Sequence, residues 1–290
     1  MEKRKPDYSE DNKLVVSNNY ISAVHPDRMN INAMKLFRLT ITQCRMTDKG
    51  FYQYEFKISD LARVLEVDRS DIYRDTQEMC KNLMQTLLFV GDGNPRHNWK
   101  YKHIFETCEY SAKDEAVTIQ LHPDMTDLFL QLKSNFTRIP ITAVLTMKSK
   151  YGIRIFELIC EKLQSSFPYA NVATEITITL DEVKRSAGVE KKKTYNQISH
   201  VKQKILLPAL ADIELCADWK IICKDLKHAR KITGFCLEVW DANGYAVVEK
   251  CKREGKLPPQ PKYRDEFKKP DEIPGQMSLF DLYPIDQTTQ

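Results

Sequence analysis

Lys193, Asn196, Gln197 and His200 carry side chains that can hydrogen-bond to the edges of nucleobases, and they lie close together. A lysine suits guanine and a glutamine amide suits adenine. Around them, Lys191, Lys192, Gln203 and Lys204, with Lys227, Arg230 and Lys231 further on, are residue types that contact phosphates. From Lys184 to Lys204 there are seven Lys/Arg against one acid, Glu190. That asymmetry points to a nucleic-acid backbone, whereas a merely solvated amphipathic helix would mix its signs.

Catalysis has less to rest on. None of the histidines His25, His97, His103, His122, His200 and His228 forms the His-x-His pair that would hold a metal beside a DNA-cutting tyrosine. Tyr195 has no metal ligands near it in sequence, and no Walker-type phosphate loop is present. Acidic pairs such as Asp124 and Asp127 fit a helix start better than a metal site. The eight cysteines contain no C-x-x-C pair and read as reduced core residues of a cytoplasmic protein. We therefore expect no enzyme activity, no cofactor and no metal.

The base-reading side chains need an element to present them. Asp181 can cap a short helix that ends at Ala187-Gly188, and a second helix pattern follows. Its residues Thr194, Ile198, Val201 and Ile205 recur at helical spacing as a buried face. Lys193, Asn196, His200 and Gln203 form the outer stripe. A helix-turn-helix results, with these residues in the first turns of the recognition helix. Pro208 predicts a kink or stop near Leu207. A hairpin of Trp219–Cys223 and Ile232–Trp240 follows, with Phe235, Leu237 and Val239 on one face and a basic turn between the strands.

The pattern occurs twice. Positions 58–88 match 180–210 at a constant offset of 122 residues: Ile58 with Leu180, Leu61 with Val183, Val67 with Val189, Met79 with Val201, Leu83 with Ile205. Upstream, Asn30 caps a helix through Cys44, and Tyr52–Ile58 alternates as a strand. The second helix of the first copy runs from about Arg69 to Leu87, burying Ile72, Thr76, Met79, Cys80 and Leu83. Strands over Leu88–Leu121 complete a winged helix, and Asp124–Leu132 forms another helix. From Lys57 to Lys81 the first copy has five bases against six acids. Its Arg69, Arg74 and Lys81 are expected to make secondary DNA contacts.

The fold class is thus α+β: two tandem winged-helix (helix-turn-helix) domains with a disordered C-terminal tail. A disordered stretch 1–12 precedes an N-terminal winged helix over 13–135 and a C-terminal winged helix over 136–250. The tail, 251–290, is Pro-rich. The charged start MEKRKPDYSEDN has no apolar segment behind it, and no apolar run reaches membrane-spanning length, so no membrane association is expected. Gln276, Met277, Ser278, Leu279 and Phe280 look like the peptide that docks on bacterial sliding clamps, commonly Gln-Leu-Ser/Asp-Leu-Phe. Leu279 and Phe280 would fill an apolar cleft; the alternative is that they pack on the protein itself.

The chain also resembles the replication initiators of iteron-containing plasmids, the RepA/RepB/RepE-like family. The resemblance rests on NKLVVSNNYI near the N-terminus, LTMKSKYGIRIFELI at 145–159, ILLPAL with Ile213, and WKI…HARKITGF at 219–235. It covers roughly residues 11–245. It implies two winged-helix domains, monomers that bind direct repeats in double-stranded DNA at an origin, and dimers that bind an inverted repeat in the initiator's own promoter. It also implies that the C-terminal domain makes the strongest base contacts and the N-terminal one most of the dimer. The expected function is a sequence-specific replication initiator that opens the origin and recruits host replication proteins, among them the sliding clamp. A winged-helix transcription repressor is the alternative, and a nicking rolling-circle initiator a distant third.

Overall fold

Alternation and helical periodicity build the same order of elements in each half: a strand, two helices, then a hairpin. The computed structural model describes residues 3–8, 13–23, 29–45, 47–68, 70–90, 96–164, 172–229 and 231–257. In chain order the first half contains β1 (Lys3–Arg4), β2 (Lys13–Ser17), α1 (Asn18–Ser22), α2 (Ile31–Thr42), β3 (Gln53–Lys57), α3 (Ile58–Leu65), α4 (Ile72–Met84), β4 (Leu87–Val90), β5 (Lys100–His103), β6 (Phe105–Ser111), β7 (Ala116–Leu121) and α5 (Thr126–Phe129). β8 (Phe136–Pro140), α6 (Ile141–Thr146) and α7 (Lys150–Leu163) lead to the second half. There follow β9 (Thr174–Thr179), α8 (Leu180–Ala187), α9 (Ile198–Val201), α10 (Leu207–Cys216), β10 (Trp219–His228), β11 (Lys231–Asp241) and α11 (Ala242–Arg253).

β3 pairs antiparallel with β7, which also pairs with β6, and β9 pairs antiparallel with β11, which also pairs with β10. Each helix pair is therefore framed by one strand before it and a hairpin after it, the winged-helix topology. The 122-residue repeat is a repeat of structure: α3 and α8 start 122 residues apart, and each ends on a left-handed residue, Glu66 (φ 55) and Gly188 (φ 66).

The core gathers around α2. Asn30 caps it, its side chain accepting from Ala33 N at 2.8 Å, and every residue from Ala33 to Thr42 is buried. A helix covered on all sides belongs at the centre of a domain. Tyr20, Phe37, Phe105 and Phe129 pack edge-on around it, with ring centroids 5.0–6.0 Å apart. α4 buries Ile72, Thr76, Met79 and Leu83 as the periodicity predicts, while Cys80 is only half-buried.

Several expectations are corrected. Residues 3–8, inside the stretch expected to be disordered, are held: Lys3 and Arg4 pair in parallel with Gln53 and Tyr54. The Arg4 guanidinium forks onto Asp48 at 2.6 and 3.0 Å, which supplies the anchor. The helix expected over Asp124–Leu132 is a 3₁₀ turn, Pro123–Met125, running into the short α5. The expected division at 135/136 runs between β2 and β8, which pair from Lys13↔Pro140 to Ser17↔Phe136. Helix α11 extends past the expected end of the second domain at 250 as far as Arg253; Asp241 caps it, accepting from Gly244 N at 2.9 Å. The remainder of the tail, 258–290, lies outside the described residues.

The two halves meet on buried charge. Arg38 of α2 donates to both carboxylate oxygens of Glu157 on α7, at 2.8 and 3.2 Å, and Arg154 donates to the same carboxylate. Arg154 also donates to Ile21 O at 3.0 Å and Ser186 O at 3.3 Å, tying α1 and α8 to α7. Burial pushes the Glu157 carboxyl up, but the two guanidiniums outweigh it and hold it below the usual carboxylate range. A second tie runs from Asp212 of α10, whose carboxylate accepts from Lys148 N at 3.1 Å and Ser149 N at 2.8 Å at the start of α7.

Candidate nucleic-acid interface

The second helix pair is fixed at both ends. Thr179 and Glu182 form a reciprocal capping box at the start of α8, so Thr179 is the cap and not Asp181. Gly188 closes α8 in the left-handed region, and Val189, fully buried, pins the turn to the core.

The recognition helix then starts later than its spacing predicted. Lys193–Asn196 form a separate 3₁₀ turn, and Gln197 is extended (φ −82, ψ 123) as the residue that starts α9. Lys193 and Asn196 therefore precede the helix, and Gln197 sits at its mouth, so the outer stripe is broken between Asn196 and His200. Thr194 is exposed and does not join the buried face; Val201 and Ile205 do. Of the kink or stop expected near Leu207, the helix shows no stop but a change of winding. Lys202–Leu206 adopt a π turn, with Leu207 N donating to Lys202 O, and α10 continues to Cys216. Proline removes one N–H and crowds the carbonyl four residues back; the wider π turn lets the chain pass Pro208.

Lys191, Lys192, Lys193, Asn196, Gln197, Gln203 and Lys204 are all exposed around this helix start. His200 is half-buried and its Nδ1 lies 2.9 Å from Thr194 O. A carbonyl only accepts, so Nδ1 carries the proton and Nε2 is the ring atom left for a base edge. Ser199, exposed in the first turn of α9, belongs with these residues. It escaped the sequence reading because the helix was started too early.

The wing is a longer hairpin than expected. β10 and β11 pair from Trp219↔Asp241 to His228↔Lys231, with a bulge between Leu226 and Lys227. Lys227, His228 and Lys231 are exposed at its tip, and Arg230 lies outside the described residues. Lys202 of the π turn donates to Asp225 of β10 at 2.7 Å, bracing helix against wing. Lys224 is taken by Glu238.

The first copy presents a different surface. Arg74 pairs with Asp71 at 3.0 Å and Asp75 at 3.1 Å on the surface, so two acids flank it where a phosphate would approach. Asp68 accepts from Ser70 N at 2.9 Å ahead of α4. Lys81 is exposed, and Arg69 lies outside the described residues. Gln276, Met277, Ser278, Leu279 and Phe280 also lie outside them. Among the described residues, no group of three or more His, Cys, Asp or Glu is placed to hold a metal, and no helix is long and apolar enough to cross a membrane.

Fold and surface together define a tandem winged-helix protein of the nucleic-acid-binding kind, with exposed lysines and amides grouped at the start of the second recognition helix. The family model for the initiator replication protein, WH1, matches residues 13–160, and that for the initiator Rep protein, WH2, matches residues 179–239. The chain belongs to this family of replication initiators. In fold it is similar to the Pi initiator protein, whose crystal structure was solved in complex with iteron DNA. That likeness has a TM-score of 0.61 and 18% identity, covering 80% of this chain and 98% of that one. A fainter likeness, to domains 2 and 3 of RctB, has a TM-score of 0.41 and 10% identity, covering 74% of this chain and 82% of that one. Comparison with curated proteins returned no match.

Proposed function

We propose that this initiator binds tandem repeats in double-stranded DNA at a plasmid origin through its second winged helix, promotes opening there, and recruits host replication proteins. The observation that carries the reading is the second reader's surface. Three exposed lysines, an exposed asparagine and an exposed glutamine surround the start of a helix braced to an exposed basic wing. The Pi initiator, of the same fold, was crystallised with iteron DNA, which supports repeats as the target. Asn196, Gln197 and His200 Nε2 read base edges with Lys193, while Lys191, Lys192, Gln203, Lys204, Lys227, Arg230 and Lys231 meet phosphates.

The first winged helix serves dimerisation and secondary contact, in which Arg69 and Lys81 do more than Arg74 because Arg74 is held by two acids. Neither binding nor opening requires this chain to catalyse a reaction or hold a cofactor, and its place is the cytoplasm. The tail peptide Gln276–Phe280 recruits the sliding clamp. A direct test supplies the chain in trans to a circular DNA bearing the region beside its coding sequence. Replication of that DNA, with strand opening detected by permanganate, is the expected result. Occupancy of a promoter without opening or replication would make the protein a repressor and contradict the proposal.

A further inference from the structure

The N-terminal segment, the end of α2 and the β2–β8 pair enclose an open cavity of about 400 Å³. Its walls carry Arg4, Lys5, Lys13, Arg45 and Arg138 against one acid, Asp7. Arg4 is committed to structure: it forks onto Asp48, donates to Gln43 O at 3.0 Å and lies 3.9 Å over the Tyr52 ring. The other four cations have no ion pair among the described residues.

Strand alternation explains why they converge. Leu14 and Val16 of β2 point into the core, as do Thr137 and Ile139 of β8. Lys13, Val15 and Arg138 are left on the outer face, with Val15 directly opposite Arg138. Arg45 arrives from the end of α2, and Lys5 from the segment that β1 ties to β3. Around this hollow the four cations outnumber Asp7 and the nearby Asp48, whose carboxylate accepts from Arg45 N at 2.8 Å, so the balance of charge favours an anion. In the sheet order β1-β3-β7-β6, β1 lies at the edge opposite β6, so this side of the domain is away from the β6–β7 hairpin.

We propose that the cavity binds the phosphate chain of a small polyphosphate, of the nucleoside di- or triphosphate class. A concave site of this volume lies within the range of small-ligand pockets, about 300–1,000 Å³. Its cations come from the N-terminal segment, β2, the end of α2 and β8, and do not form the long stripe that follows a duplex backbone. Arg138 offers a planar fork suited to two phosphate oxygens, and Lys5, Lys13 and Arg45 offer further donors.

The test is calorimetric titration of the full chain with pyrophosphate and with ATP, using sulfate as the control anion. Saturable binding of both polyphosphates, stronger than that of sulfate, is expected. Lys13→Gln with Arg138→Gln should weaken it about tenfold or more, and Lys5→Gln with Arg45→Gln should do so independently, each with unchanged thermal unfolding. If the parent binds neither polyphosphate better than sulfate, or both double variants bind like the parent, the proposal is wrong. A short random duplex supplies the remaining arm. If it displaces ATP, and the same substitutions weaken the duplex, the cavity is a DNA-backbone contact and the small-molecule reading fails.

Discussion

Glu66 and Gly188 hold equivalent places in the two repeats, each closing a first helix in the left-handed region. Only glycine adopts that region without its side chain crowding the following carbonyl, so Gly188→Ala should cost about 1–2 kcal/mol in urea unfolding. Glu66→Gly should do the reverse and raise the thermal midpoint, since its exposed ion pair with Lys148 offers little in return. Gly234 is constrained differently: a Cβ there would meet Ile178 O at 2.5 Å and Thr179 Cα at 3.1 Å, across the β9–β11 pair. Gly234→Ala should therefore force the strands apart at a cost of about 1–3 kcal/mol, also read by urea unfolding. At this scale much was legible. The offset of 122 places α3 on α8, and the end of α8 at Gly188 was read directly, whereas the left-handed Glu66 carries no such signal in its residue type. The capping box was legible too, as Thr179-x-x-Glu182, but the neighbouring Asp181 is itself a good capping residue and drew the helix start two residues late.

Among the elements, the recognition helix departs most from its sequence. The helical spacing of Thr194 with Ile198, Val201 and Ile205 carried the expected helix back to Lys193. The structure spends those residues on a 3₁₀ turn, because the exposed Thr194 gives the core nothing to bury. A π turn is invisible to a 3.6-residue period, so passage through Pro208 could not be read. The brace between Lys202 and Asp225 was also hidden, since it joins two elements whose relative position only the fold sets. Asp225→Ala removes that brace while leaving every proposed DNA contact in place. Binding to the cognate repeat should fall several-fold while binding to random duplex changes little, because only the precise seating of α9 requires the brace. Equal losses on both DNAs would mean that the brace merely supports the fold.

Taken whole, the molecule joins its two winged helices through α7, and Glu157 is the central charge of that junction. Its carboxylate is fully buried between Arg38 and Arg154, so Glu157→Gln leaves two guanidiniums short of charge. The cost should be about 3–5 kcal/mol at neutral pH. The folded-state value of Glu157 lies below its unfolded one, so its stabilisation is complete above the unfolded pKa and is lost as pH falls through the folded one. The gap in unfolding free energy between parent and variant should therefore narrow only below about pH 4.3. Arg154 and Glu157 lie in the mostly apolar run at 145–159, and nothing local in the sequence marks Arg38, far away in the chain, as their partner. In the tail, Leu279→Ala with Phe280→Ala should abolish capture of the host's purified clamp and leave repeat binding intact.

The division of labour between the two winged helices is tested most directly by selecting bound sequences from a random duplex library. The parent should select one repeat. Asn196→Ala with Gln197→Ala should lose base preference at particular positions of that repeat, at about 1–3 kcal/mol for each contact removed. Arg74→Ala with Lys81→Ala should return the parent's repeat unchanged. Selection of the same repeat, with the same strength at every position, by the Asn196/Gln197 variant would show that the second winged helix does not read the sequence.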